Sequence, residues 1–282
     1  MTYLRWYADN SELNGARGTN IPDILLFGGV AIPPDCDVAF RNMIEEIKSK
    51  YGHHRAPIKW NFKDLKKTYE EQNMGALYQK MLTSSKEWRS EIFTASLKFD
   101  YKIIIACVQS HSVHNKIIKG IKPDLTKFTF SNGLMRVALH ALEAKPDRYQ
   151  IIFDWPDKGD SSPFDMEYSS AYMAGKTRDG NVPYHSGALK NIGFMDSVVY
   201  TNMRHSTNMQ FADLVVGATR EFIECSIGKK ETGFGLDMSK LIAHKYRGYE
   251  QKSIFGRGIN IASGDSEFRN KVKNYIIQEL QN

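Results

Sequence analysis

The amino-acid sequence predicts an α/β protein in which helices cover a central mixed β-sheet. Segments rich in β-branched and apolar residues alternate along the chain with segments of helical periodicity. This alternation favours a sheet layered with helices over separate groups of strands and helices. Hydrophobic residues make up 41% of the 282 residues and charged residues 25%, and both values are typical of a globular protein.

Five strands are expected, and the first two should form a long hairpin. Their β-branched and apolar runs are separated by the turn-rich segment NSELNGARGTNIP, and Pro33 and Pro34 should end the second strand. The predicted strands lie near residues 3–9, 24–32, 101–109, 149–154 and 193–201.

Six helices are expected, and the fourth should begin at a Ser162 cap with Pro163 in its first turn. They lie near residues 37–51, 65–83, 130–145, 163–175, 207–228 and 265–280. No internal repeat, low-complexity tract or long linker divides the chain. Residues 1–282 are therefore interpreted as a single domain, with embellishments near 52–100 and 229–262.

Charge and cysteine content suggest a soluble, cytoplasmic protein with an acidic partner. The net charge of +6 and a pI of about 9.0 favour nucleic acid as that partner, although a merely basic surface gives the same values. No apolar run reaches the roughly 20 residues that span a bilayer, and the first residues do not resemble an export signal. The three cysteines are widely spaced, which argues against a disulfide framework.

Several common chemistries lack their sequence motifs. The chain contains no phosphate-binding G-x-x-x-x-G-K-[ST] loop, no G-x-G-x-x-G, no G-x-S-x-G and no H-E-x-x-H. The sequence thus gives no support to a P-loop ATPase, a dinucleotide-binding enzyme, a serine hydrolase with a G-x-S-x-G nucleophile elbow or a zinc protease with an H-E-x-x-H helix.

The segment 193–222, GFMDSVVYTNMRHSTNMQFADLVVGATREF, places an acidic residue inside an otherwise apolar helix. Asp213 has no basic residue three or four positions away on that helix, so no neighbour on its own face can form an ion pair with it. A carboxylate in such surroundings is unfavourable unless it is paired, protonated or bound to a metal.

Two further aspartates follow apolar, strand-like runs. Asp9 lies in YLRWYADNSE and Asp154 in YQIIFDWPDK, and each alone could simply begin a turn. If the two strands are neighbours and the Asp213 helix packs on them, the three carboxylates meet at one edge of the sheet. Such a group could hold two Mg²⁺ or Mn²⁺ ions about 3.5 to 4 Å apart, the arrangement that hydrolyses phosphodiesters.

The chain resembles the RNase H-like family catalogued as domain of unknown function 3800. The resemblance rests on YADNSELNG, FGGVAI, IIFDWPD and MDSVVYTNMRHSTNMQFADLVVGA. It covers most of the chain and preserves the family's order, and NMQFADLVVGA is its most specific element. It implies an RNase H-like fold with Asp9, Asp154 and Asp213 at the metal positions. The family is predicted to contain metal-dependent nucleases.

The fourth acidic ligand of such a site is not identifiable in this chain. The family commonly has an Asp-Glu pair at the end of the first strand, whereas the second position here is Asn10. Glu12 and Asp157 are the nearest acids in sequence and are the candidates for an additional metal ligand. Fewer negative charges would weaken metal binding.

These patterns lead to two hypotheses about function. The first is a Mg²⁺- or Mn²⁺-dependent nuclease, and the alternative is a catalytically inactive RNase H-like module that binds nucleic acid or a protein partner. Lys59, in the basic segment KWNFKDLKK, is a candidate phosphate contact, with a plain exposed lysine as the alternative. Lys245 and Arg247 lie among aromatic residues in KLIAHKYRGYEQKSIFGRG and are further candidates for contacting nucleic acid, or else parts of a solvated linker.

Overall fold

A computed structural model describes residues 2–13, 23–109, 121–154 and 160–281. Within them lies a six-stranded mixed sheet in the order β5-β4-β1-β2-β3-β6, with helices packed on both faces, so the predicted α/β class is confirmed. The strands are β1 (Tyr3–Leu13), β2 (Ile24–Ile32), β3 (Lys102–Gln109), β4 (Arg148–Asp154), β5 (Val199–Thr201) and β6 (Ile259–Ala262).

The centre of the sheet is an antiparallel meander of β1, β2 and β3, and the predicted hairpin of the first two strands is present. On the other side of β1, β4 and then β5 continue the sheet in parallel, while β6 is parallel to β3 at the opposite edge. β3 and β4 run in the same direction and are separated in the sheet by β2 and β1, so a tight turn cannot join them, and a long helix lies between them in the chain.

The helices of the described residues are α1 (Pro34–Tyr51), α2 (Lys66–Glu71), α3 (Gly75–Thr83), α4 (Ser85–Ser96), α5 (Ile121–Ala144), α6 (Ser162–Ala174), α7 (Thr207–Ser226), α8 (Phe234–Leu241), α9 (Ile254–Arg257) and α10 (Ser266–Leu280). Short 3₁₀ turns occur at Phe62–Leu65, Leu189–Ile192 and Ala243–Lys245. No helix among these ranges is long and apolar enough to cross a membrane.

The alternation of side chains along the strands creates two separate cores. Tyr7 and Leu26 point to the face covered by α1 and α7, whereas Trp6, Phe27 and Phe153 point to the face covered by α5 and α6. On that second face the ring of Phe27 meets the rings of Trp6 and Phe153 edge-on, with centroids 5.5 and 4.8 Å apart. All nine residues of β2 are buried, as expected for a strand covered on both faces.

Several predicted elements differ in detail from the observed ones. The expected helix at 65–83 is divided into α2 and α3, because Asn73 between them adopts a left-handed φ of 56°. The last predicted strand shortens to Val199–Thr201, and α6 is preceded by Ser161 as its cap residue rather than Ser162. The prediction missed α4, α8, the short α9 and β6.

Candidate functional site

The three aspartates lie on one face of the sheet. Asp9 is in the middle of β1 and Asp154 is the last residue of β4, and these strands are parallel neighbours with Ala8 opposite Phe153. Ala8 and Phe153 belong to the core under α5, so by alternation the next residues, Asp9 and Asp154, point to the face that α7 covers. Asp213 lies midway along α7.

Gly29 allows α7 to lie close to the sheet at this point. A Cβ atom on Gly29 would stand 3.2 Å from the Cβ of Ala212 and 2.0 Å from the carbonyl oxygen of Tyr7. Its neighbour Gly28, which is paired with Asp9, has a φ of +155°. A larger residue at position 29 would push α7 and Asp213 away from Asp9, whereas a Cβ atom on residue 28 would stand 2.3 Å from the carbonyl oxygen of Ile104 in β3.

Asp9 and Asp213 form a buried carboxyl pair. Their exposed fractions are 4% and 7%, and the two side chains are in hydrogen-bonding contact. Burial raises the pKa of Asp9 well above its usual range, and the charges of Asp213 and Asp154 raise it further. Burial also raises the pKa of Asp213, although Lys59 and a backbone N–H oppose that change. Burial therefore makes it unfavourable for both carboxyl groups to carry a charge at once, and the nearby positive charge of Lys59 opposes this effect.

The segment Lys59–Trp60 approaches this pair from outside the sheet. The backbone N–H of Trp60 donates to Oδ2 of Asp213. Burial alone would lower the pKa of the Lys59 amine, but attraction to Asp213, Asp9 and other carboxylates raises it instead. The Lys59 ammonium is thus a built-in positive charge beside the aspartates, whereas the sequence alone left open that it was a plain exposed lysine.

Arg89 of α4 holds the Lys59–Trp60 segment in place, and sequence reasoning missed it. Its Nη2 donates to the carbonyl oxygens of Trp60 and Lys59 at 2.5 and 3.3 Å, and its guanidinium lies 5.3 Å from the centre of the Trp60 ring. Burial lowers the pKa of Arg89 to about 10, while Asp213 opposes that shift. The part of the region 52–100 that reaches the carboxyl pair is thus the Lys59–Trp60 segment, supported by Arg89.

Asp154 is fixed by the loop that precedes α7. The backbone N–H of Met203 donates to Oδ1 of Asp154 at 2.7 Å. Arg204 and His205, the next two residues, are exposed. This loop therefore brings two basic side chains near the same edge of the sheet.

The structure does not bring Glu12, one of the two proposed additional acids, to the pair. Glu12 is three residues after Asp9 in a strand of regular register, so its side chain points to the opposite face. Asn10 also points to that face. Asp157 lies outside the described residues.

Lys245 and Arg247 have roles within the fold. Lys245 is 9% exposed, donates to the carbonyl oxygen of Phe99 at 2.6 Å and lies over the ring of Tyr101. Arg247 is 6% exposed and forms a bidentate ion pair with Glu143, with N···O distances of 2.8 and 2.7 Å. Their charges are engaged inside the protein, which explains their positions without nucleic acid.

The donor chemistry of the pair suits a hard divalent cation, because carboxylate oxygens are the ligands such ions prefer. Among the described residues, no three or more His, Cys, Asp and Glu side chains are grouped so that they could hold a metal ion. Asp9 and Asp213 are in contact, whereas Asp154 acts on them through space. The pair is thus the part of the site that is already assembled.

Comparison with known proteins gives no independent assignment: no family model matches the chain, and neither the curated proteins nor the solved structures contain a significant match.

Proposed function

We propose that this protein is a metal-dependent nuclease that hydrolyses phosphodiester bonds with Mg²⁺ or Mn²⁺. The observation that carries the proposal is the buried Asp9–Asp213 carboxyl pair, with Asp154 on the same face of the sheet. A fold gains little stability from two like charges in an apolar setting, and such pairs with raised pKa values are characteristic of functional sites.

The carboxyl pair is suited to a divalent ion because a cation would offset the two negative charges that burial makes unfavourable there. When bound by such carboxylates, Mg²⁺ or Mn²⁺ ions activate water and stabilise the leaving oxygen of a phosphodiester. The chain's own contribution is to hold Asp213 through the Trp60 N–H and Asp154 through the Met203 N–H. Lys59 adds a positive charge beside the pair, which would attract a substrate phosphate.

The topology of the sheet supports an RNase H-like architecture. An antiparallel meander of three strands, continued beside its first strand by two parallel strands, is the arrangement expected for that fold, and the order β3-β2-β1-β4-β5 follows it with β6 added at the edge. The resemblance to the family of unknown function 3800 points to the same architecture and to the same three aspartates.

Nucleic acid is the substrate that the charge distribution favours. The chain carries a net charge of +6, and exposed basic side chains flank both segments that contact the aspartates. Lys63 follows the Lys59–Trp60 segment, and Arg204 and His205 follow Met203. Such side chains can neutralise phosphates on either side of the cleavage point. A cytoplasmic location accords with this role and with the three free cysteines.

A second candidate function is a catalytically inactive module that binds nucleic acid. Asn10 favours it, because an uncharged residue stands where the resembling family commonly has an acid, and Glu12 points to the opposite face of the sheet. With fewer acidic ligands, Lys59 could serve as the permanent counter-charge of the pair.

Cleavage of labelled single-stranded DNA, duplex DNA and RNA in Mn²⁺, in Mg²⁺ and in EDTA distinguishes the two functions. The nuclease proposal expects cleavage that requires a divalent ion and disappears both in EDTA and in the Asp9→Asn variant. The inactive module expects salt-dependent binding with no cleavage in either metal. Cleavage that continues unchanged in EDTA contradicts the proposed mechanism.

A further inference from the structure

A chain of hydrogen bonds, buried at the Lys48–Gln210 end and partly buried at Asp154, connects helix α1 to the loop that holds Asp154. Lys48 of α1 donates from Nζ to Oε1 of Gln210 at 2.9 Å. Gln210 in turn donates from Nε2 to the carbonyl oxygens of Met203 and Arg204, at 3.0 and 3.4 Å. The N–H of Met203 completes the chain at Oδ1 of Asp154.

Gln210 also belongs to the helix that carries Asp213. It precedes Asp213 by three residues on α7, so the two side chains leave neighbouring turns on the same side of the helix. Two aspartates that lie on different elements, one in α7 and one at the end of β4, are therefore linked through a single buried side chain. Gln210 is 1% exposed and Lys48 is also 1% exposed.

The orientation of the Gln210 amide is determined by its partners. A lysine ammonium only donates hydrogen bonds and a backbone carbonyl only accepts them, so Oε1 must face Lys48 and Nε2 must face the loop. Burial lowers the pKa of Lys48 to about 8. A lysine in such a buried position is unfavourable unless it is hydrogen-bonded, and packing alone does not require one there.

We infer that Gln210 is a positioning residue, which fixes the loop 202–205 to α7 and so sets the place of Asp154 relative to the Asp9–Asp213 pair. This inference rests on the proposed function in what it says about catalysis, but the link between Gln210 and the loop is independent of any activity. Gln210 touches none of the three aspartates by hydrogen bond, so its effect must pass through Met203.

The chain offers a matched control at Gln150 in β4. Gln150 is also buried, at 7% exposure, and also donates from Nε2 to a loop carbonyl, that of Ser197 at 2.9 Å. Replacement of either glutamine by methionine removes one buried amide of similar size. Only the Gln210 change should loosen the loop that holds Asp154.

The test compares Gln210→Met, Gln210→Glu and Gln150→Met in the full-length protein. The glutamate variant keeps an acceptor for Lys48 but turns a carboxylate oxygen toward the loop carbonyls, so it should disrupt the loop as methionine does. Two measurements are made: hydrogen exchange of the peptide covering 202–206 without metal, and the kcat and KM of Mn²⁺-dependent cleavage.

We expect faster exchange of the 202–206 peptide in both Gln210 variants, with a kcat about 10- to 100-fold lower and little change in KM, as for other residues that orient metal ligands. Gln150→Met should keep wild-type exchange in that peptide and wild-type kcat. If the Gln210 variants exchange and cleave like Gln150→Met, the inference is wrong. If the wild-type protein cleaves no substrate, the proposed function has failed, and the exchange data alone then decide the inference about Gln210.

Discussion

Replacement of Gly217 by alanine tests whether the Lys59–Trp60 segment depends on its contact with α7. Gly217 lies one turn after Asp213, and the Trp60 side chain packs directly against it. A Cβ atom on residue 217 would stand 2.1 Å from Cγ and 2.4 Å from Cβ of Trp60, far inside van der Waals contact. The Trp60 ring must therefore move away from α7.

Two opposing effects set the change in the free energy of unfolding. Alanine is favoured over glycine inside a helix by up to about 1 kcal/mol. Overpacking of a buried contact costs about 1–3 kcal/mol. The net destabilisation should thus be about 0–2 kcal/mol, a decrease in the melting temperature of a few degrees for a chain of this size.

The effect on cleavage should exceed the effect on stability. If Trp60 moves, its N–H no longer donates to Asp213 and the Lys59 charge leaves the carboxyl pair. We expect a loss of Mn²⁺-dependent cleavage at 25 °C, where the variant remains folded. Gly75→Ala is the matched control, because a Cβ there meets no atom within 4 Å, and it should cleave like wild type. A Gly217→Ala protein that melts higher than wild type and cleaves normally would refute the packing of Trp60 on α7.

Three further predictions concern the carboxyl pair. Because the folded environment raises the pKa of Asp213, Asp213→Asn should melt at or above the wild-type temperature in EDTA at pH 7 while losing cleavage; a lower melting temperature would indicate a structural ion pair instead. The unfolding free energy of the metal-free protein should decrease as the pH rises from about 4 through the raised pKa values of Asp9 and Asp213, because over that range the folded state binds more protons than the unfolded state. Asp9→Asn should reduce this dependence on pH in melts recorded at a series of pH values. Glu12→Gln should retain wild-type cleavage, since its side chain is on the opposite face, and a loss of activity would contradict that placement.

The sequence predicts the parts of the site that depend on local pattern. The continuous apolar run of β2 and the apolar periodicity around Asp213 identify the elements that carry the site. The apolar runs before Asp9 and Asp154 mark these residues as candidates, and the parallel pairing of β1 with β4 places them side by side. The predicted end of the first strand at residue 9 is wrong, because β1 continues four residues past Asp9 to Leu13 and Asp9 lies within the strand.

The rest of the site depends on contacts between distant residues, which leave no periodic signal. The N–H of Trp60 reaches Asp213 across 153 positions in sequence, and Arg89 supports it from a helix that the pattern did not reveal. Lys245 and Arg247 show the reverse case: their basic and aromatic setting suggests a nucleic-acid surface, but in the fold both are buried. A composition pattern does not show which side of a segment faces solvent.

The most direct test of the central claim is an anomalous difference map from crystals soaked in Mn²⁺. The account predicts a manganese peak between the carboxylates of Asp9 and Asp213, with Asp154 as a further ligand and the peak absent in Asp213→Asn crystals. A protein that crystallises with all three aspartates ordered and shows no manganese peak at the pair, with the Lys59 ammonium bonded to the carboxylates instead, would contradict it.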